Sequence, residues 1–346
     1  MEVIRGWTHR AFEISDLSCV GEARRHASGL ALARGWSEVD RERTAIVVTE
    51  LATNLAKHAR AGELLIAARD ALADIEVVAV DAGPGMADVP RAMRDGFSTS
   101  ATPGTGLGAI QRQADAFELH SAPASGTVCV ARLRPRKSGT EAAPPPSAPW
   151  RRHFGLGAIC VPMKGETACG DGWSVAFDGT RAAALVADGL GHGPDAALAS
   201  TAALESFGNA PFEAPARLIR QMHEALRSTR GAAVFGLWMD AHALHYAGAG
   251  NVAGRLVSGI SEKSLATAHG TLGLQARSFE ATTLPYPAHA AALLHSDGLR
   301  SRWPSEALAP LLRRDPTLMA ARLYADHSRR RDDACVLVLR PQEPAP

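Results

Sequence analysis

The sequence predicts a mixed α+β chain folded as two domains, and three observations carry that reading. At 346 residues the chain is longer than one ordinary hydrophobic core supports. The stretch Lys137 to Pro149, KSGTEAAPPPSAP, cannot build a core and reads as a semi-extended linker. On both sides of it, short apolar runs paired as hairpins stand among longer runs with helical spacing. The expected boundaries are a first domain over 1–136, a linker over 137–150 and a second domain over 151–341.

Residues 1–16 alternate weakly around Val3, Ile4, Trp7, Phe12 and Ile14 and read as a strand or two. Ser15-Asp16 offers an N-cap for a helix to about Arg34, closed by Gly35. Ser37 opens a second helix, which runs through Glu50 and Asn54. Leu64–Arg69 with Ile75–Asp81, and Phe117–Ala122 with Thr127–Leu133, form two hairpins. Between them, Gly104–Gly108 is a glycine-rich loop heading a helix over Ala109–Ala116. Past the linker, strands are expected at 154–162, 172–178, 182–187, 234–239, 243–247, 253–257, 278–283, 290–296 and 335–340. Helices are expected at 194–208, 214–228, 306–313 and 316–328.

A hydrophobic content of 46% with 21% charged residues is that of a folded, soluble protein. The net charge of +1 provides no general basic field for nucleic acid. No apolar run of about 18 residues exists, so no membrane span is expected. The N-terminus MEVIRGWTHR lacks the apolar core of a signal peptide. Five cysteines, Cys19, Cys129, Cys160, Cys169 and Cys335, are scattered without a C-x-x-C, which suggests reduced thiols in a cytoplasm.

The first half is organised around TELATNLAKH, Thr49 to His58. Glu50, Asn54 and His58 are spaced four apart and share one side of a helix. Taken alone, such residues are ordinarily a solvated face. Two later motifs change the reading. DAGPG, Asp81 to Gly85, follows the apolar strand Ile75–Val80, and GTGLG, Gly104 to Gly108, precedes a helix. A strand-end carboxylate can accept from an exocyclic amine while glycines let backbone approach a flat base. A glycine-headed helix offers N–H groups and a positive end to phosphates. The loop is neither a Walker loop nor a Rossmann fingerprint.

ELATNLAKHA, DAGPGM and DGFSTSATPGTGLGAI (Asp95 to Ile110) resemble the N box, first glycine box and lid with second glycine box of the GHKL (Bergerat) ATP-binding fold, an α/β sandwich. Their wording is similar to the RsbT-type serine kinases more than to the RsbW or SpoIIAB anti-sigma factors. The resemblance covers residues 1 to about 135. It implies Asn54 as a ligand of Mg²⁺, Asp81 for adenine, and Gly83, Gly85, Gly104, Thr105, Gly106, Leu107 and Gly108 beside ATP. It implies Glu50 as the base that takes a proton from a substrate serine, and Lys57 and His58 as contacts to phosphate. A packed or capping histidine is the alternative at His58. Phosphoryl transfer asks for positioning and charge neutralisation more than covalent chemistry.

In the second half, acids punctuate strand ends: Asp171 in CGDGW, Asp188-Gly189 in VADGLGHG, Asp297 in LLHSDGL, and Asp332-Asp333 in RDDACVLVL. Each Asp-Gly alone is ordinarily a turn. Several carboxylates gathered in one place are tolerable only if cations neutralise them. Hard oxygen ligands favour Mg²⁺ or Mn²⁺, and two such ions can activate a water against phosphorus. The order GD, DGLGHG, SDGL, DDA resembles the metal-dependent PPM serine/threonine phosphatases of the SpoIIE/RsbX branch, an α-β-β-α sandwich, over about 155–340. The resemblance implies Asp171, Asp188, the Gly189 carbonyl, Asp297 and Asp332 as metal ligands, with Asp188 and Asp297 central to catalysis. Asp333 is a further candidate ligand where relatives often carry Asn. His192 could assist phosphate or a leaving group, or be an ordinary loop histidine.

Together the two resemblances imply an RsbT-like kinase fused to an RsbX-like phosphatase. The implied partner is a STAS-domain protein in a bacterial stress or sigma-factor pathway, phosphorylated by one half and dephosphorylated by the other. The rival reading makes the first half a nucleotide-dependent module that binds a sigma factor or other partner, with phosphatase the only catalysis.

Overall fold

The computed structural model describes every residue except 94–105, 137–147, 241–242, 278, 288 and 343–346. The chain divides into two units, His9–Ser147 and Met1–Thr8 together with Ala148–Pro346. The first strand, β1 (Glu2–Arg5), belongs to the second of these.

The unit His9–Ser147 begins with β2 (Arg10–Ile14), α1 (Val20–Ala33) and α2 (Glu38–His58). The chain continues through β3 (Gly62–Arg69), β4 (Asp74–Asp81), the short α3 (Val89–Ala92), α4 (Gly106–Gln113), β5 (Ala116–Ser121) and β6 (Thr127–Leu133). The strands form an antiparallel sheet in the order β2-β3-β4-β6-β5. Ser37 caps α2 by accepting the Asp40 N–H at 3.1 Å. Val47, Val48, Leu51 and Leu55 of α2 pack with Ala23, Ala27 and Ala31 of α1 against Leu64, Ile66, Ile75, Val77 and Ala79 of the sheet. That packing fixes which face of α2 is left for Glu50 and Asn54.

The same sheet carries a buried ionic cluster. Glu76 accepts from Arg69 at 2.8 Å and Arg132 at 2.8 Å, and His9 lies 3.4 Å away. Burial alone would raise the Glu76 carboxyl, but Arg69 and Arg132 outweigh it and hold the group well below its ordinary 4.5. A depressed carboxylate contributes stability that is present above the unfolded value and lost as pH falls below it. The wild-type unit should therefore melt at progressively lower temperature as pH drops below about 4.5. Glu76→Gln should be less stable than wild type at neutral pH and show a shallower acid dependence. Thermal melts across pH check both.

The second unit, from β1 onward, contains β7 (Phe154–Val161), β8 (Asp171–Asp178), β9 (Arg181–Gly189), α5 (Pro194–Asn209) and α6 (Pro215–Ala225). It continues with β10 (Ala232–Met239), β11 (Ala243–Ala249), β12 (Ala253–Val257), β13 (Glu262–Leu265), β14 (Thr282–Pro285), β15 (Ala291–His295), α7 (Pro316–His327) and β16 (Ala334–Pro341). Two antiparallel sheets result, β1-β8-β9-β10-β11-β14 and β13-β12-β15-β16-β7. Helices α5 and α6 cover the first sheet through Ala199, Ala203, Phe207, Leu218 and Met222, and α7 packs on β7 and β16 of the second. This is the expected α+β chain with an α-β-β-α sandwich after the linker.

Several expectations need correction. Met1–Thr8 does not open the first domain but belongs with Ala148–Pro346. β1 pairs with β8 from Glu2↔Phe177 to Arg5↔Ser174, and Trp7 meets Trp173 edge-on at a centroid distance of 4.5 Å. Alternation reveals a strand but not which sheet edge will receive it. The helix after the second glycine motif begins at Gly106 rather than Ala109, so Gly106 and Gly108 lie in its first turn. The strand expected at 278–283 lies at Thr282–Pro285. β13 carries no alternating apolar signal in the sequence, because EKSL is a charged, exposed edge. The segment 306–313 holds a 3₁₀ turn over Glu306–Leu311 with Pro310 inside it. Residues 137–147 of the expected linker lie outside the described residues. Among the described residues, no helix is long and apolar enough to cross a membrane.

Candidate functional sites

In the unit His9–Ser147, the sheet and α2 bring the three motifs together. Gly106 at the head of α4 lies against the side chains of α2. A Cβ there would lie 3.1 Å from Glu50 Oε2 and 3.4 Å from Asn54 Oδ1. Both side chains are half-buried, whereas Lys57 and His58, one turn on, are exposed. The end of β4 meets the same helix at its C-terminal end, where a Cβ on Gly83 would lie 3.1 Å from the His58 carbonyl oxygen. Asp81 Oδ1 accepts the Gly83 N–H at 2.6 Å, and the Ala82 N–H donates to the Arg60 carbonyl at 3.0 Å, just past the end of α2. Gly85 adopts φ +68°, and a Cβ on it would lie 1.9 Å from the Ala122 carbonyl oxygen, so only glycine fits. Gly108 is buried, and Leu107 is half-buried at the head of α4. Gly104 and Thr105 lie outside the described residues, as does most of the expected lid.

Arg43 holds this arrangement from behind, a role the motif reading did not anticipate. Its guanidinium donates to Asp40 at 2.9 Å, to the Gln113 carbonyl at the end of α4 at 2.6 Å, and to Asp115 at 3.1 Å. A buried arginine shared by two aspartates and a helix end ties α4 to α2. Removing it strips both carboxylates of their charged partner and leaves, among the described residues, Asp40 only the Ser37 hydroxyl and Arg136 N–H and Asp115 the Arg134 N–H, at a cost of about 3–5 kcal/mol. Arg43→Ala is accordingly expected to lower the melting temperature and to weaken ATP binding through α4, as measured by calorimetry.

In the other unit, the sandwich places acids from both sheets at one end. Asp171 on β8 lies directly across from Asp188 on β9. From the second sheet, Asp297 follows β15 and Asp332-Asp333 precede β16. These two turns are joined because Ser296 N–H donates to the Cys335 carbonyl at 3.0 Å and Cys335 N–H donates to Ser296 Oγ at 3.0 Å. The carboxylates feel one another. Burial first, then Asp297 and Asp332, push Asp188 up to about 7. Burial first, then Asp188, pushes Asp171 well above the ordinary carboxylate range. Asp171 Oδ2 is buried with no hydrogen-bond partner among the described residues. A buried, unpartnered carboxylate oxygen within a mutually repelling acidic group is the donor set that a hard divalent cation satisfies. Among the described residues no three side chains already converge on a single ion position. Asp333 differs from the rest: its two oxygens accept the Met163 and Gly170 N–H groups at 2.7 and 2.8 Å. Its carboxylate thus pins the loop leading into β8. His192 shares a 2.9 Å hydrogen bond with Glu166 in an exposed pair.

Two family models match the chain: the histidine kinase-like ATPase domain over residues 15–132 and stage II sporulation protein E (SpoIIE) over residues 178–342. Asp171 lies just before the second match. The N-terminal part is similar to the serine/threonine-protein kinase RsbT of Bacillus subtilis (strain 168), 34% identical over 127 residues, covering 33% of this chain and 93% of the relative. Among solved structures, a chain from "The bacterial stressosome: a modular system that has been adapted to control secondary messenger signaling" is 27% identical with a TM-score of 0.51, covering 54% of this chain and 99% of that one. A crystal structure of RsbX in complex with magnesium is 22% identical with a TM-score of 0.49, covering 55% of this chain and 96% of that one. Fold, site and family models together define a protein serine/threonine kinase joined to a protein-serine/threonine phosphatase of the PPM type. Through its first domain the chain belongs to the RsbT kinase family.

Proposed function

We propose that the chain is a two-way switch on one protein partner, a STAS-domain protein of a bacterial partner-switching pathway whose serine or threonine it both phosphorylates and dephosphorylates. In the first domain, Asn54 would hold Mg²⁺ with ATP, Asp81 would accept from the adenine amine, and the glycine-box residues, Lys57 and His58 would line the nucleotide. Glu50 is the base that accepts the proton of the attacking hydroxyl. In the second, Asp171, Asp188, the Gly189 carbonyl, Asp297 and Asp332 would hold two Mn²⁺ or Mg²⁺ ions. Such ions, when bound, supply an activated water and neutralise the phosphoryl oxygens. Asp333 supports them by fixing the loop ahead of Asp171.

The single observation that carries this reading is that one chain holds the cores of both constellations: Glu50 and Asn54 against Gly106, and Asp171 facing Asp188 beside Asp297. Likeness to an RsbT kinase and to a stressosome structure supports a partner-switching setting. The test incubates the protein with a STAS-domain candidate, ATP and Mn²⁺ and follows phosphoserine. Asn54→Ala should stop its appearance and Asp188→Ala should stop its removal. Stable capture of a sigma factor without ATP turnover would favour a binding module instead. Phosphorylation that survives Asn54→Ala would sink the kinase half.

A further inference from the structure

The turn between β11 and β12 contains a residue that neither motif reading includes. β12 pairs with β15 antiparallel, with Ala253 opposite His295. Continuing that register by two residues on each strand, past the end of the ladder, brings Asn251 opposite Asp297. Its side chain completes the pairing that the backbone no longer makes, and Asn251 Nδ2 donates to Asp297 Oδ2 at 2.6 Å. The turn is itself pinned, by the Gly250 N–H donating to the Ala268 carbonyl at 3.0 Å and by Thr267 Oγ1 donating to the Gly250 carbonyl at 3.4 Å.

The other acids are steadied differently. Asp333 is held by main-chain N–H groups of Met163 and Gly170, and Asp171 Oδ2 has no hydrogen-bond partner among the described residues. Asp297 is steadied by a side chain that reaches in from a separate, exposed turn. The donor is a neutral amide. An arginine or lysine at this place would also hold the carboxylate, but its positive charge would compete with a cation for the same oxygens. An amide orients the group and adds no charge to that of Arg329, which already acts on Asp297.

We propose that Asn251 is a positioning residue of the phosphatase centre, gripping one oxygen of Asp297 so that the carboxylate is set for a divalent cation before the cation arrives. This rests on the reading of the aspartate cluster as a metal centre. Asn251 acts through Asp297.

The test titrates Mn²⁺ into the full-length, nucleotide-free protein by calorimetry, comparing wild type, Asn251→Ala, Asn251→Gln and Asp188→Ala. Asn251→Ala should weaken Mn²⁺ binding roughly 10- to 100-fold, the usual cost of losing such an outer partner. Its hydrolysis of p-nitrophenyl phosphate should climb back toward wild type as Mn²⁺ is raised. Asn251→Gln, which keeps the amide, should bind Mn²⁺ more tightly than Asn251→Ala. Metal-free melting should be unchanged, since the residue is exposed in a turn. Binding by Asn251→Ala within about twofold of wild type, while Asp188→Ala abolishes it, overturns this inference and leaves the metal centre standing. A metal-free melting temperature that falls together with the affinity also overturns it, by making the role structural. If wild type takes up no Mn²⁺, the metal-centre reading falls and this inference with it.

Discussion

Asp188→Ala is expected to lower dephosphorylation of a phosphoserine partner by about a thousandfold or more, with ATP-dependent phosphorylation by the same protein unchanged. Asp188 faces Asp171 across the β8–β9 ladder and carries the charge influence of Asp297, Asp332 and Asp333. On the proposed reading, removing it takes away a metal ligand that stands between the acids of the two sheets. Losing metal-based charge stabilisation is worth several kcal/mol, and each 1.36 kcal/mol is about tenfold in rate. The fold should survive, because the substitution relieves repulsion among buried acids. Metal-free melting of Asp188→Ala at neutral pH should be no lower than wild type, and a variant that lost activity by unfolding would betray itself there. Single-turnover release of phosphate, measured in excess Mn²⁺, decides the rate.

Glu50→Gln is expected to reduce phosphorylation of the partner roughly 10²- to 10⁴-fold, the range lost with a general base, without touching phosphatase turnover. Glutamine keeps the shape of the side chain beside Gly106 but cannot take a proton. Nucleotide affinity should stay near wild type for Glu50→Gln and fall for Asn54→Ala, since only the second would lose an ion ligand. This separation between two residues one helical turn apart is the sharpest check on the roles given to them. Equal loss of ATP binding in both variants would mean that Glu50 serves the nucleotide site rather than the substrate hydroxyl.

Local chemistry made much of this legible. The Ser37 cap, the apolar stripe of α2 and the paired strands β3 and β4 follow from spacing and from turn residues, and the glycine and aspartate motifs lie where strands end and helices begin. Less was legible where a residue's partner is distant in the chain. Arg43 reads as one more surface arginine until Gln113 and Asp115 close over it. Asn251 sits in a small-residue turn, AGAGN, whose meaning depends on which strand lies opposite. The role of Asp333 is of the same kind: beside Asp332 in the sequence it resembles a second ligand, and only the fold shows that its oxygens also accept the Met163 and Gly170 N–H groups.

What the sequence determined by itself was the inventory: an α+β chain in two parts, a helix presenting Glu50 and Asn54 together, and acids at the ends of apolar strands. Helical and strand periods are local, so they fix which side chains share a face. Tertiary structure alone decided that β1 leaves its sequence neighbours to complete the sheet edge at β8, and that Asp171 and Asp188 from one sheet meet Asp297 and Asp332 from the other. Sheet membership and register are set by pairing across long stretches of chain, where burial and hydrogen bonding of the whole strand outweigh any local preference.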